Sequence, residues 1–514
     1  DGRLAAGFLD GIPEESLDTG LAYHSSSVRL TIAATDMKAS YTGQPTTGES
    51  SGAVAAGALL LGSTQSELFD DTFATSGSGL AFVAAGLWTV ATQDLLVTGS
   101  RIADYASIDA GRIAAAHIDG AMQPPRTPVP DLGSVRLTMI GNVWAASLST
   151  QGISTPIEPI TQMAACQILI GSRDSQIGGR APGDENTVSC TTFAGGSAEL
   201  VQIWTLATNN VSIIGNRIGS RDTPTASGLG AVERWVGVRD GHALIEAAEA
   251  IDVGSAKLLV DANRIYGPFN LSAETFIGVW LDRDPSTTQL GRVWLKNNAI
   301  LGTAAMTSVG IRVDYAPVEI VNNTIQAAWC PEGATVQCSN PVEAIALLAA
   351  GGSGHTMVVA SNIFSANAGN TINLVVDRDS DPVGDVRLPS FSVFAGNILN
   401  RDGSWSDAQY RYYCIGGAPS DNSVGSGICY SRKPPYIEEL LSSFRIAGAE
   451  YDSITASVSL CPYDGFHLAS AGSEAEDWGY DSYRPELDID GDPRDGVSHD
   501  AGADEIDGSP TCSP

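Results

Sequence analysis

The chain has 514 residues and a formal charge of −31. Such an excess of carboxylates repels nucleic acid and anionic lipid surfaces, which excludes both as partners and favours cations. Aromatic residues are only 7% and glycines number 56, which suits many short strands joined by tight turns and excludes a fold of long amphipathic helices.

The chain opens on Asp1 with neither Met nor an apolar leader and is expected to be a mature product already trimmed of an export signal. Irregular strands come first, VRLTIAATDM from Val28 and DLLVTGSRI from Asp94, with Asp36 and Ser100 near their corners. A regular pattern follows, in which a short apolar strand ends on an asparagine: Asn142, Asn216, Asn263, Asn298, Asn323, Asn362 and Asn397. Asn tolerates the left-handed backbone of a sharp corner, and its amide both gives and accepts hydrogen bonds to the same residue one layer away. The shortest interval, from Asn298 to Asn323, fits one turn of a coiled sheet, and longer intervals fit turns that carry loops. These asparagines are therefore expected to stack inward as a structural ladder. Gly/Ser/Thr/Pro stretches such as TGQPTTGESSG from Thr42 read as projecting loops, while LIEAAEAI near Leu244 and YIEELLSSF near Tyr436 are the helical candidates.

The spacing predicts an all-β parallel solenoid over residues 1–400. A cap over 401–460 is expected because a solenoid end exposes an unpaired edge, and a polar tail follows over 461–514. Eight cysteines fall as near neighbours: Cys166 with Cys190, Cys330 with Cys338, Cys414 with Cys429, then Cys461 and Cys512. Their even number and the lack of metal-binding spacings point to disulfides in an oxidising compartment. Cys330 and Cys338 bracket one short loop and are expected to bond; the sequence leaves the other partners open. No apolar run reaches the roughly eighteen residues of a membrane helix.

A second strand family ends in Arg beside Asp: WVGVRDG, FIGVWLDRD, VGIRVDYA and INLVVDRD. Stacked, these would place Arg and Asp of neighbouring layers about 4.8 Å apart on one face. Elimination on a uronic-acid polymer requires a cation beside the substrate carboxylate and a base, commonly with calcium. Arg239, His242, Arg283 and Asp284 are the candidate catalytic set, drawn from a group that includes Asp240, Asp282, Arg312, Asp314, Asp377, Arg378 and Asp379. The expected role is structural, an ionic ladder that keeps coils in register. Asp488, Asp490 and Asp492 around Gly491 alternate like a calcium loop but lack the Glu of an EF-hand at the twelfth position. The histidines His24, His117, His355, His467 and His499 read as isolated polar positions.

The strand-and-asparagine repeat resembles the right-handed parallel β-helix of the pectin-lyase-like superfamily. The ending LDIDGDPRDGVSHDAGADE is similar to the D-x-D-G-x-P-R…D-x-G-A-x-E ending of secreted bacterial β-helix proteins of the choice-of-anchor Q type. The matching positions are Asp488, Asp490, Gly491, Pro493, Arg494, Asp500, Gly502, Ala503 and Glu505, with Ala501 in place of the usual isoleucine. The resemblance implies a secreted or bacterial cell-surface location. Signatures of the superfamily's polygalacturonases and pectate lyases are missing: only Asp70, Asp71 and the fragment Gly241, His242, Ala243 are present. The function expected is a non-catalytic surface protein for adhesion, matrix or filament assembly, contacting polysaccharide or other surface proteins. The alternative is a polysaccharide lyase or glycoside hydrolase acting along the coil.

Overall fold

The computed structural model describes residues 4–10, 12–13, 23–24, 27–42, 54–78, 83–107, 113–123, 127–149, 163–193, 199–219, 234–241, 254–267, 273–283, 291–302, 306–329, 343–350, 356–365, 371–377, 379–380, 386–387, 390–400, 410–416, 428–430, 450–451, 453–461, 464–469, 473–494, 499–504 and 512. The fold is a right-handed parallel β-helix. Packing divides the chain into two compact units, Asp1–Leu258 with Asn270–Ala273, and Leu259–Phe269 with Glu274–Pro514.

Each coil of the first unit contributes a strand to each of three sheets. The first sheet stacks Leu4–Asp10, Val54–Leu61, Val83–Val90, Ile113–Asp119, Met163–Ile170, Glu199–Leu206 and Arg234–Gly241, all parallel. Short strands such as Glu67–Phe69 and Leu96–Thr98 form the second sheet, and strands such as Thr72–Ser78 and Arg101–Ser107 form the third. In the second unit the same three positions recur, as in Thr275–Asp282, Arg292–Lys296 and Ala299–Leu301. The coil does not stop at Asn397. Tyr410–Gly416, Glu450–Tyr451 and Ile454–Ala456 pair in parallel with the preceding layer, so these strands of the 401–460 segment continue the sheets. Both helical candidates lie outside the described residues.

The ladder forms as expected and is longer than the asparagine motif. In the first unit Ser100 N–H donates to Asn142 Oδ1 at 2.9 Å, Asn142 N–H to Asn186 Oδ1 at 2.8 Å, and Asn186 Nδ2 to Asn216 Oδ1 at 2.9 Å. Upstream, Asp71 N–H donates to Ser100 Oγ and Thr35 N–H to Asp71 Oδ1. In the second unit the N–H groups of Asn263, Asn298, Asn323 and Asn362 donate to Oδ1 of Asn298, Asn323, Asn362 and Asn397, at 2.9–3.1 Å. Ser453 Oγ then accepts from Asn397 N–H. The backbone reading needs correction: the left-handed residue is the one before the ladder position, at Gly141, Gly215, Ala262, Asn297, Asn322, Ser361 and Gly396. A neighbouring corner has its own ladder of hydroxyls, with Thr92 and Ser134 joined at 2.6 Å and Thr208 and Ser255 likewise.

The column of Gly57, Gly86, Ala116 and Cys166 is small because it points across a narrow core. A Cβ on Gly57 would lie 2.5 Å from Gly86 O and 2.7 Å from Ala74 N. Cys166 turns that closeness into a buried disulfide with Cys190, and Gln202, one layer on, clamps Cys190 by accepting its N–H and donating to its carbonyl. Cys461 bonds Cys512. Cys414 and Cys429 are register partners in an antiparallel pair; their side chains, and Cys330 and Cys338 altogether, lie outside the described residues.

Two outcomes are expected. Replacing Asn298 with Ala removes the acceptor of Asn263 N–H and Nδ2–H and the donor to Val260 O, so urea denaturation should show a loss of about 1–3 kcal/mol. Thiol titration of the denatured, unreduced protein should find Cys166, Cys190, Cys461 and Cys512 unreactive. Removing the Cys166 bond, which closes a loop with a separation of 24 residues, should cost about 3.5 kcal/mol in the chain-entropy account.

Candidate functional site

Adjacent residues of a strand point to opposite faces of the pleat, so Arg and Asp side by side in sequence cannot share one face. The expected Arg/Asp ladder is therefore replaced by two separate arrangements. Arg239 follows Trp204 in register and lies over its ring at 4.6 Å, while its guanidinium pairs with Glu199. Asp240, on the other face, is buried and accepts from Thr205 Oγ1 and from the N–H and Oγ of Ser255. Arg312 repeats the pattern, 4.8 Å over Trp280 and 2.8 Å from Asp314. Trp280 Nε1 also donates to Asp314, which lies opposite Asp282 in register. Burial raises the Asp314 carboxyl and Asp282 adds to the rise, against the pull of Arg312. Arg283 is buried, with its N–H bonded to Asp314 O. His242, Asp284 and Arg378 lie outside the described residues, as do the side chains of Asp377 and Asp379.

A charge ladder does occur elsewhere, at an exposed left-handed corner of the first unit. Arg29 pairs with Gln65, Arg136 with Asp94, and Asn210 with Asp174, each joining neighbouring layers. Arg136 holds Asp94 below the usual carboxylate range. The core also holds a polar set around Asp119, which accepts from Thr89, Ser134 and Ser172, with His117 3.2 Å from Thr89 Oγ1. Burial pushes His117 down to about 3, so this imidazole is neutral.

The C-terminal residues form the densest constellation of functional groups. Residues 473–494 and 499–504 lie as a strap along the corner of the second unit. Asn322 Nδ2 donates to the carbonyls of Asp500 and Gly502, Asn297 Nδ2 to that of Leu487, and Gly502 N–H to Ser361 O. Arg494 is buried and donates to the carbonyls of Asp500 and Gly502 at 3.1 and 2.9 Å. Gly502 has φ +99°, and a Cβ there would meet Ile363 Cδ1 at 2.7 Å. His499 is fully buried against Gly479, and burial together with Arg494 pushes it down to about 4.

The Asp488 loop closes on itself. Asp488 Oδ1 accepts the N–H groups of Asp490, Gly491 and Asp492, each at 2.9 Å. Asp488 Oδ1, from a candidate calcium residue alongside Asp490 and Asp492, is thereby committed to its own loop. Asp490 turns instead to Arg264 at 2.6 Å and to His467 Nε2 at 2.7 Å. His467, read from sequence as an isolated polar residue, bonds Asp464 through Nδ1 at 2.6 Å, and Asp504 completes a cluster with His467 and Asp490. The i, i+3 spacing of Asp464 and His467 was the local signal for this pair; Asp490 and Asp504 join only through the folding back of the strap. Burial alone would lower His467, but bonds from Asp464 and Asp490 raise it to about 10. Burial raises Asp504 to about 7, against the pull of His467, with Asp488 and Asp490 contributing to the rise.

Comparison with protein-family models and with curated proteins gave no match for this chain.

The pH dependence of the strap follows from these groups. His467 titrates near 6.5 when unfolded, so its contribution is complete below about pH 6.5 and is lost as pH rises toward 10. Asp504 costs stability progressively as pH rises from its ordinary 3.8 to about 7. Asp464 and Asp490, held below their ordinary 3.8, contribute above it and lose that contribution as pH falls through their folded values. Denaturation should therefore show greatest strap stability near about pH 4–5 and a decline toward about pH 9. The variant His467→Gln should flatten the alkaline limb of that profile.

Proposed function

We propose that this protein is a non-catalytic β-helix of the cell exterior, serving adhesion, matrix or filament assembly, with its acidic surface turned to cations, polysaccharide or neighbouring surface proteins. The observation that carries the reading is the engagement of the candidate catalytic arginine Arg239. It is 2% exposed, clamped to Glu199 and stacked on Trp204, so its charge serves the joint between two coils and not a substrate carboxylate. Arg312, tied to Asp314 over Trp280, supports the same reading. A location outside the cytoplasm is supported by the Cys166 to Cys190 and Cys461 to Cys512 bonds, which persist in oxidising compartments. No helix among the described residues is long and apolar enough to cross a membrane. The formal charge of −31 keeps such a protein apart from nucleic acid and open to cation-bridged contacts.

The purified protein, incubated with alginate, pectin and chondroitin with and without calcium, should yield neither unsaturated products by absorbance nor new reducing ends. Product formation that depends on calcium and is abolished by Arg283→Ala would replace this reading with the lyase. Under the structural reading, Arg239→Ala lowers stability without altering any polysaccharide signal.

A further inference from the structure

We propose that His467 Nε2, Asp490 and Asp504 form a binding site for one divalent transition-metal ion that clasps the C-terminal strap. One candidate ligand atom from each of these residues lies within 4.8 Å of the others, close enough to surround a single ion. The donor set of one imidazole nitrogen and two carboxylates suits borderline metals such as Zn2+, whereas Ca2+ takes oxygen ligands.

Two further observations point to a ligand. The first is Asp464, 2.6 Å from the far nitrogen of His467. It fixes the ring with Nδ1 protonated and Nε2 directed at Asp490 and Asp504, the carboxylate–histidine arrangement that orients metal-bound imidazoles. The second is Asp504, 9% exposed, whose carboxylate accepts a single hydrogen bond among the described residues, from Leu468 N–H to Oδ2. A carboxylate so enclosed, with one hydrogen bond, has an oxygen left for a cation within reach of His467 and Asp490. Four carboxylates, Asp464, Asp488, Asp490 and Asp504, face two cations, Arg264 and His467. A divalent ion taken up in exchange for the Nε2 proton reduces that excess from two negative charges to one.

The binding step exchanges a proton for the metal. The Nε2 proton now shared with Asp490 leaves to solvent, and the Nε2 lone pair becomes a metal ligand. The partly exposed sides of His467 and Asp490 provide the way in. The three ligands belong to the turn at 464–469, the Asp488 loop and the end of the strap, so the ion would tie together three separate segments of the chain.

The test is calorimetric titration of the full chain, first stripped with EDTA, with ZnCl2 in buffers of differing ionisation enthalpy. One ion per chain should bind, with proton release, and affinity should rise with pH between roughly pH 6 and 8. Asp504→Asn keeps the Leu468 hydrogen bond and should weaken binding at least about tenfold, as should His467→Gln, while the exposed Asp492→Asn should leave it within about twofold. Bound Zn2+ should also slow proteolysis of the strap in the wild type and not in Asp504→Asn. If His467→Gln releases the strap, Asp504→Asn decides alone. The proposal is overturned by absence of saturable binding at pH 8, by unchanged binding in Asp504→Asn, by an equal loss in Asp492→Asn, or by Ca2+ binding more tightly than Zn2+.

Discussion

The constraint on which the rest depends is the inward backbone N–H at each corner of the coil. Along a strand every N–H meets a carbonyl of the next layer, but where the chain turns, the ladder of backbone bonds is interrupted and a buried donor would be stranded at a cost of about 1–3 kcal/mol. In the regular layers the asparagine above meets that donor. Asn298 Oδ1 takes both the N–H and the Nδ2–H of Asn263, while its own Nδ2 reaches Val260 O and Asn323 Oδ1. One short side chain supplies acceptor and donors at once, and each layer specifies where the next must lie. Asp71, Ser100 and Ser453 meet the same N–H with an oxygen alone, which is why the ladder persists in the irregular coils without the asparagine signature.

The strap exploits what the ladder leaves outside. The left-handed residue before a ladder asparagine turns its polar groups outward, and in the second unit Asn297, Asn322 and Ser361 present amide donors, a carbonyl and a hydroxyl to the returning chain. The strap answers with Arg494, whose guanidinium gathers the carbonyls of Asp500 and Gly502, and with Gly502, whose backbone comes too near Ile363 for any side chain. The apolar cluster of Ile363, Ile398, Val458, Leu468, Ala475 and Ala501 lies beneath. Ala501 in place of a larger residue fits this closely packed layer.

Charge in this molecule is sorted by depth. Asp119 and Asp240 are sealed in the core by hydroxyls of Thr and Ser. Arg239 and Arg312 spread over tryptophan rings on the outer side of the first sheet. The exposed corner pairs such as Arg136 with Asp94 are screened by water and contribute little. In the partly buried cluster around His467, Asp464, Asp490 and Asp504 gather about one imidazole and Arg264, so charge there is paired by a returning segment and not by the coil itself.

The sequence by itself determined the repeat. Apolar strands ending on asparagine imply a parallel coil because the short side-chain ladder works only between identical corners one layer apart, and Asn263, Asn298, Asn323, Asn362 and Asn397 all take that place. Asn186 was missed because the preceding strand, Gln176–Ile177, is only two residues long and the residues between, GGRAPGDE from Gly178, form no apolar run. Only the tertiary structure decided how the charged residues are used. Adjacency of Arg239 and Asp240 in the chain separates them across the pleat, whereas Asp490 meets Arg264, 226 residues away, and His467, 23 residues away, because the strap doubles back. Periodicity encodes contacts between equivalent positions of successive layers; it carries no information on a contact between a coil and a tail that belongs to no repeat.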